Sequence, residues 1–194
     1  MGTSVTIEPF AAATASDAEF RERYELTTAV EREFDPDDTV EPFDQWRREV
    51  MDTPSWAKPL RWSARNDTGR LVGTAMLGLQ YTESNRHLAH FHITVAAGDR
   101  RAGVGSRLLA AIVAAAAEDG RTVLGANAEE GTCSEAFLAA LGMETRLVDR
   151  RSRLLVGEVD AAMLDEWIAT AATAAAGYSL MVWEDGVPDE YLDA

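Results

Sequence analysis

Seven residues, Arg100-Arg-Ala-Gly103-Val-Gly105-Ser106, constrain this chain more than any other stretch. They follow Leu88–Val95, an apolar run of strand character, and they open a segment in which Leu108, Leu109, Ile112, Val113 and Ala116 recur at helical spacing. That spacing predicts a helix over 105–118, with Gly120 as its stop, and 122–128 reads as the next strand. A strand–loop–helix–strand unit of this kind closes parallel and right-handed. Glycines let backbone amides approach a ligand and adopt positive φ. Successive N–H groups in such a turn form an anion nest, and the helix start adds its positive dipole end. Arg100, Arg101 and Arg107 bring positive charge to the same place. A pyrophosphate suits that loop.

The loop supports more than one reading. No Gly-Lys-Ser/Thr follows, so it is not a Walker-type loop. A dinucleotide fingerprint needs a third glycine where Leu108 stands, although Glu129 or Glu130 could serve as its distal acid. A glycine-rich turn that binds nothing is the bland alternative.

Around this unit the chain reads as an α/β domain with a mixed sheet flanked by helices. Residues 4–10 alternate like a strand, and Ser16 and Asp17 can cap a helix reaching about Glu33. Asp35-Pro36-Asp37-Asp38 breaks it, and 42–51 reads as a second helix with Phe43, Trp46 and Val50 on one face. Strands are predicted over 60–65, 71–80 and 88–95, the first two joined by the hairpin-type turn Asn66-Asp67-Thr68-Gly69. A short helix over 134–141 ends at Gly142, and 143–159 is mostly extended. Beyond lie an Ala-rich helix over 161–176, a strand over 178–183, a turn at Asp185-Gly186, and a helix start at Pro188-Asp189-Glu190. The expected division is a domain over 1–160 and an extension over 161–194 that begins a second repeat.

Composition narrows the function. The 33 acidic against 18 basic residues give a net charge of −15, which disfavours nucleic acid and anionic membranes as partners. The longest apolar stretch, 108–117, is about half of a bilayer span. Residues 1–10 carry no basic region followed by an apolar run, so no secretory leader is expected there. With a single cysteine, Cys133, no internal disulfide forms, and a cytoplasmic setting is the expectation.

The run Val95-Ala-Ala-Gly-Asp-Arg100-Arg-Ala-Gly103-Val-Gly105-Ser-Arg-Leu-Leu109, with Leu141-Gly142-Met143 after the short helix, resembles the acetyl-CoA signature of the GNAT superfamily of N-acetyltransferases. The element order over residues 4–160 is similar too. The resemblance implies a GNAT-like mixed sheet, antiparallel at first and parallel around the CoA loop. It implies acetyl-CoA as co-substrate and a small-molecule amine as acceptor. By position, Ile93, Thr94 and Val95 would offer strand backbone to the pantetheine arm, with the Val95 amide polarising the thioester carbonyl. Arg100, Arg101, Ala102, Gly103, Val104, Gly105 and Ser106 would hold the cofactor, chiefly through main-chain N–H groups. The tail looks like the linker of tandem members such as mycothiol synthase, so a second domain of the same kind, or a homodimer, is the implied partner.

Two positions depart from the pattern. The family's acid, a tyrosine in the fourth helix, falls on Leu138, and an asparagine often found seven residues earlier falls on Gly131. The rival reading is therefore a degenerate half-domain that binds acetyl-CoA for structural or regulatory reasons. Tyr81 and Tyr178 are the substitute acids to consider. His90 and His92 share one strand face with Thr94 and admit three roles: ordinary polar residues, a general base, or a His-x-His metal pair. Glu129 is a second base candidate or a solvated loop carboxylate, and Glu25, Glu31 and Glu33 lie on the first helix. Cys133 has no placed base and reads as inert, and no metal is assigned.

Overall fold

In a computed structural model, residues 4–37, 39–82, 84–150, 152–183, 186–188 and 191 are described. Asp38, Asp185, Asp189 and Glu190, which enter the expected breaks and the expected last helix start, lie outside them. The chain divides into two compact units, 1–144 and 145–194. The division falls earlier than the boundary read after residue 160.

The first unit is built on a five-stranded sheet in the order β1-β2-β3-β4-β5. Its strands are β1 (Val5–Pro9), β2 (Ala57–Asn66), β3 (Leu71–Gln80), β4 (Leu88–Val95) and β5 (Val123–Gly125). The first three pairings are antiparallel and β4–β5 is parallel, as the element order predicts. Strand β2 is longer than the expected 60–65, because Pro59 is tolerated where β2 runs on past the end of β1. Strand β5 is shorter than the expected 122–128, because its pairing with β4 stops at His90↔Gly125.

Helix α1 (Asp17–Phe34) starts at a capping box. Ser16 accepts the Glu19 N–H, and the Glu19 carboxylate accepts the Ser16 N–H at 2.8 Å. Helix α2 (Phe43–Met51) follows, its Phe43 and Trp46 packed around Tyr24 of α1. Arg23 of α1 reaches Ser63, and the register Ser63↔Thr74↔Thr94 identifies the sheet face that α1 covers.

Helix α3 (Val104–Glu118) covers the opposite face. Its Val104, Leu108, Ile112 and Ala116 are buried with Ala64, Val72, Leu77, Leu79 and Phe91 in one core. The tightest point is Gly73, where a Cβ would lie 3.0 Å from Val104, 3.1 Å from Leu108 and 3.1 Å from the Thr94 carbonyl. Helix α4 (Cys133–Ala140) is capped by Thr132, and Leu138 and Met143 pack against the same core.

The second unit holds α5 (Ala161–Ala174) and a short 3₁₀ turn over Val156–Glu158. The expected strand over 178–183 does not form: no described residue of this unit is in a strand, and a lone strand has no ladder to join.

Candidate functional site

The site begins where β4 and β5 part. The Ala96 N–H donates to the Val72 carbonyl at 3.0 Å, one step beyond the Gly73↔Val95 pair. Pairs in an antiparallel ladder alternate between bonded and non-bonded, so the backbone groups of Ile93 and Val95 turn away from β3 toward the β5 side. Pairing with β5 has already ended at His90. Past that point β4 faces an open fork, and the Val95 N–H is directed into it. Thr94 differs from its neighbours. Its backbone faces β3 and its buried hydroxyl lies 3.0 Å from His92 Nε2, so of the three strand residues expected to line the cofactor only Ile93 and Val95 open on the fork.

From the fork the chain passes through a 3₁₀ turn (Ala97–Asp99) into the glycine-rich loop. Arg101 has φ 62° and Gly103 has φ 83°, so the loop curls through the left-handed region twice within three residues. Gly103 is the N-cap of α3 and has no side chain with which to cap. The first amide of the helix to find an internal acceptor is that of Arg107, which bonds the Gly103 carbonyl at 3.1 Å. The amides of Val104, Gly105 and Ser106 are thus left for an external acceptor, which is the arrangement an anion needs. Ala102, Gly103 and Ser106 are exposed around it.

The three loop arginines play different parts. Arg100 forms a bidentate pair with Glu33 of α1 at 2.5 and 2.8 Å, and its Nε donates to the Val95 carbonyl at 3.2 Å. That pairing raises the Arg100 pKa and holds Glu33 below the ordinary carboxylate range. Arg107 donates to the Val5 carbonyl at 2.9 Å. Arg100 and Arg107 therefore brace the scaffold through these bonds, and Arg101 is exposed at the loop's left-handed turn.

His90 and His92 stand on the α1 face of β4 with Thr94, as the strand period predicts. The His90 ring lies over Gly125, where a Cβ would come within 2.9 Å of it. His92 is accessible to solvent, yet enough protein surrounds its ring that desolvation lowers its pKa. Exposure combined with crowding describes the floor of a cleft. Glu129 is not gathered with them. It sits in the turn before α4, its carbonyl accepting from the Thr132 hydroxyl at 2.6 Å and its side chain exposed.

Tyr81 does not reach the site. Its hydroxyl donates to Asp119 at 2.8 Å, beyond the far end of α3, and this bond raises its pKa. Cys133 is exposed at the start of α4. Among the described residues no group of three His, Cys, Asp or Glu could hold a metal ion, and no helix is long and apolar enough to cross a membrane. The sequence reading missed Gly73 and Gly125, yet each carries a signal, since a lone glycine inside a strand marks a close approach.

A model of the acetyltransferase (GNAT) family matches residues 20–143, which spans β2 through α4 and includes fork, loop and most of α1. The chain belongs to the GNAT acetyltransferase family. Among solved structures, this GNAT chain is similar to an acetyltransferase of Trypanosoma brucei, at 18% identity and a TM-score of 0.58 over 78% of this chain and 100% of that one. It is similar to an aminoglycoside acetyltransferase from an uncultured soil metagenomic sample, in complex with sisomicin, at 16% identity and a TM-score of 0.59 over 78% and 97%. A tandem GNAT protein from the clavulanic acid biosynthesis pathway shares 26% identity at a TM-score of 0.59, over 72% of this chain and 43% of that one. No curated protein matches the chain. The GNAT fold explains the mixed sheet and places this chain among acyltransferases.

Proposed function

We propose that this GNAT domain transfers an acetyl group from acetyl-CoA to a small primary amine, which attacks the thioester directly. The observation that carries the reading is the continuity of the β4–β5 fork, ending at His90↔Gly125, with the amide nest around Gly103. The nest, from Arg101 to Ser106, would hold the pyrophosphate, and the backbone of Ile93 and Val95 would lie along the pantetheine arm. Acetyl-CoA supplies an acetyl group already activated as a thioester. The Val95 N–H would donate to the carbonyl oxygen as negative charge builds there.

Proton removal from the amine falls to His92. Its lowered pKa keeps the imidazole neutral, the form that can accept a proton, and Thr94 orients the ring. His90, on the same face, lines the acceptor side, and Glu129 remains the alternative base. A second reading has an observation of its own. Leu138 fills the family acid's position with a half-buried apolar side chain packed on the core, and Gly131 takes φ 77° where an asparagine is common. Those features favour a domain that binds acetyl-CoA without turnover. The tandem protein supports a second GNAT domain, or a second copy of this chain, as partner, and the single cysteine supports a cytoplasmic setting.

Calorimetry with acetyl-CoA, followed by a free-thiol assay over a panel of primary amines, tests both. One-to-one binding with amine-dependent thiol release is expected. Binding with no release from any amine transfers the assignment to the second reading, and no binding at saturating acetyl-CoA removes both.

A further inference from the structure

Three arginines, from α2, β2 and the loop after β4, have an anion. Arg47 pairs with Asp17, Arg65 with Glu8 and Glu22, and Arg100 with Glu33. Two on the α1-covered sheet face do not. Arg23 is 7% exposed, its Nη1 bonded to the Trp62 carbonyl and the Ser63 hydroxyl at 3.0 Å each, with its guanidinium 4.2 Å above the Phe10 ring. The Arg61 side chain is half-buried and makes no hydrogen bond, ion pair or ring contact among the described residues, its shifted pKa coming from burial alone. In a chain with 33 acidic residues, a half-buried arginine left without a carboxylate needs a reason.

The register supplies one. Arg61↔Met76 and Met76↔His92 are directly opposed pairs, so Arg61, Met76 and His92 form one row across three strands on one face. Two strand spacings, with Met76 between, put the Arg61 and His92 backbones about 10 Å apart, within the span of a small molecule. The next row, Ser63–Thr74–Thr94, is buried and polar, and it joins the Arg23 contact at one end to the His92 contact at the other.

We propose that Arg61, backed by Arg23, receives a carboxylate carried by the acceptor, so that the substrate class is a small primary amine bearing a carboxylate, such as an α-amino acid. A planar guanidinium with unused donors matches a carboxylate in bidentate fashion. Arg23 already spends Nη1 on Trp62 and Ser63, so Arg61 alone presents a wholly uncommitted guanidinium fork, which fits the two oxygens of one carboxylate. With the carboxylate at Arg61, the amine of the same molecule lies on the His92 side of the row, toward the fork. The burial of Arg61 and the like charge of Arg23 beside it both raise the value of an arriving anion.

This inference rests on the acetyltransferase reading, and its test separates the two. The full chain, first shown to bind acetyl-CoA by calorimetry, is held with desulfo-CoA and titrated with common L-amino acids and, in parallel, with their carboxamides, reading the melting temperature. Thiol release with acetyl-CoA is measured on the same pairs. Free acids are expected to bind and turn over about tenfold to a hundredfold better than their amides, from KM rather than kcat. Arg61→Gln removes that preference and leaves acetyl-CoA affinity unchanged, and Arg61→Lys restores part of it. Acids and amides behaving alike, or failing alike, in wild-type protein that binds acetyl-CoA overturns the carboxylate proposal and leaves the acetyltransferase reading standing. Failure to bind acetyl-CoA at all strikes that reading first.

Discussion

His92 gathers more of the site's chemistry than any other side chain. Strand period sets its direction, the Thr94 hydroxyl sets its ring, and desolvation lowers its pKa. The sign of the pH effect follows. Protonation of a general base abolishes its action, so activity falls as pH drops through the His92 pKa, and that limb lies below the ordinary imidazole value of about 6.5. Replacing His92 with Gln is expected to lower kcat roughly a hundredfold at neutral pH and to remove the acidic limb, while acetyl-CoA affinity stays unchanged. A kcat–pH profile of the two proteins checks this, and an unaltered limb in the variant would move the base to His90 or Glu129. The alternation that places His90, His92 and Thr94 together was legible in the sequence. The parting of β4 from β5 that opens the cleft beside them was not, since 122–128 reads as one continuous strand.

At the scale of elements, the proposed cofactor site is built on the start of α3, and the two glycines of the loop differ in conformation. Gly103 caps the helix at φ 83°, a conformation that costs an L-residue about 1–2 kcal/mol. Gly105 is helical, and a Cβ there would meet the Phe137 ring at 3.6 Å, an ordinary contact. Gly103→Ala is therefore expected to lose stability by about that amount and to weaken acetyl-CoA binding as the nest distorts. Gly105→Ala is expected to hold or raise stability by up to about 1 kcal/mol, as an alanine in a helix does, with cofactor affinity retained. Urea unfolding and calorimetry on both variants measure the contrast, and equal losses would mean that both glycines serve close ligand approach. The motif spacing marks both positions alike. Only the helix boundary, one residue before the expected start, separates their roles. The loop arginines make the same point, since the distant partners Glu33 and Val5 draw Arg100 and Arg107 away from the loop surface.

For the molecule as a whole, every member of the core cluster, from Val5 to Met143, lies within the first compact unit. A chain ending at Glu144 is expected to keep the sheet with α1 to α4, losing only the far-UV helical signal of α5, and to unfold in one cooperative step within a few degrees of the full-length midpoint. A loss of that transition in calorimetric melts would show that residues 145–194 carry part of the fold's stability. In the second unit, Leu147, Val148, Leu154 and Val156 are mostly exposed, and no strand forms over 178–183 despite its apolar content. A strand is a property of a pair, so apolar content alone does not create one.

Local chemistry explains which features were already written in the chain. Capping oxygens, helical and strand periods, turn residues and the glycine-rich loop each act within a few residues, and they determined the element order, the mixed sheet and the family. Tertiary structure decided what depends on residues far apart. The β4–β5 fork, the capture of Arg100 by Glu33, the room that Gly73 and Gly125 leave for a helix and a ring, and the row that sets Arg61 beside His92 all require strands to have found their register. Pairing across a sheet is a long-range choice of partner and offset, and it leaves little imprint on any single stretch of sequence.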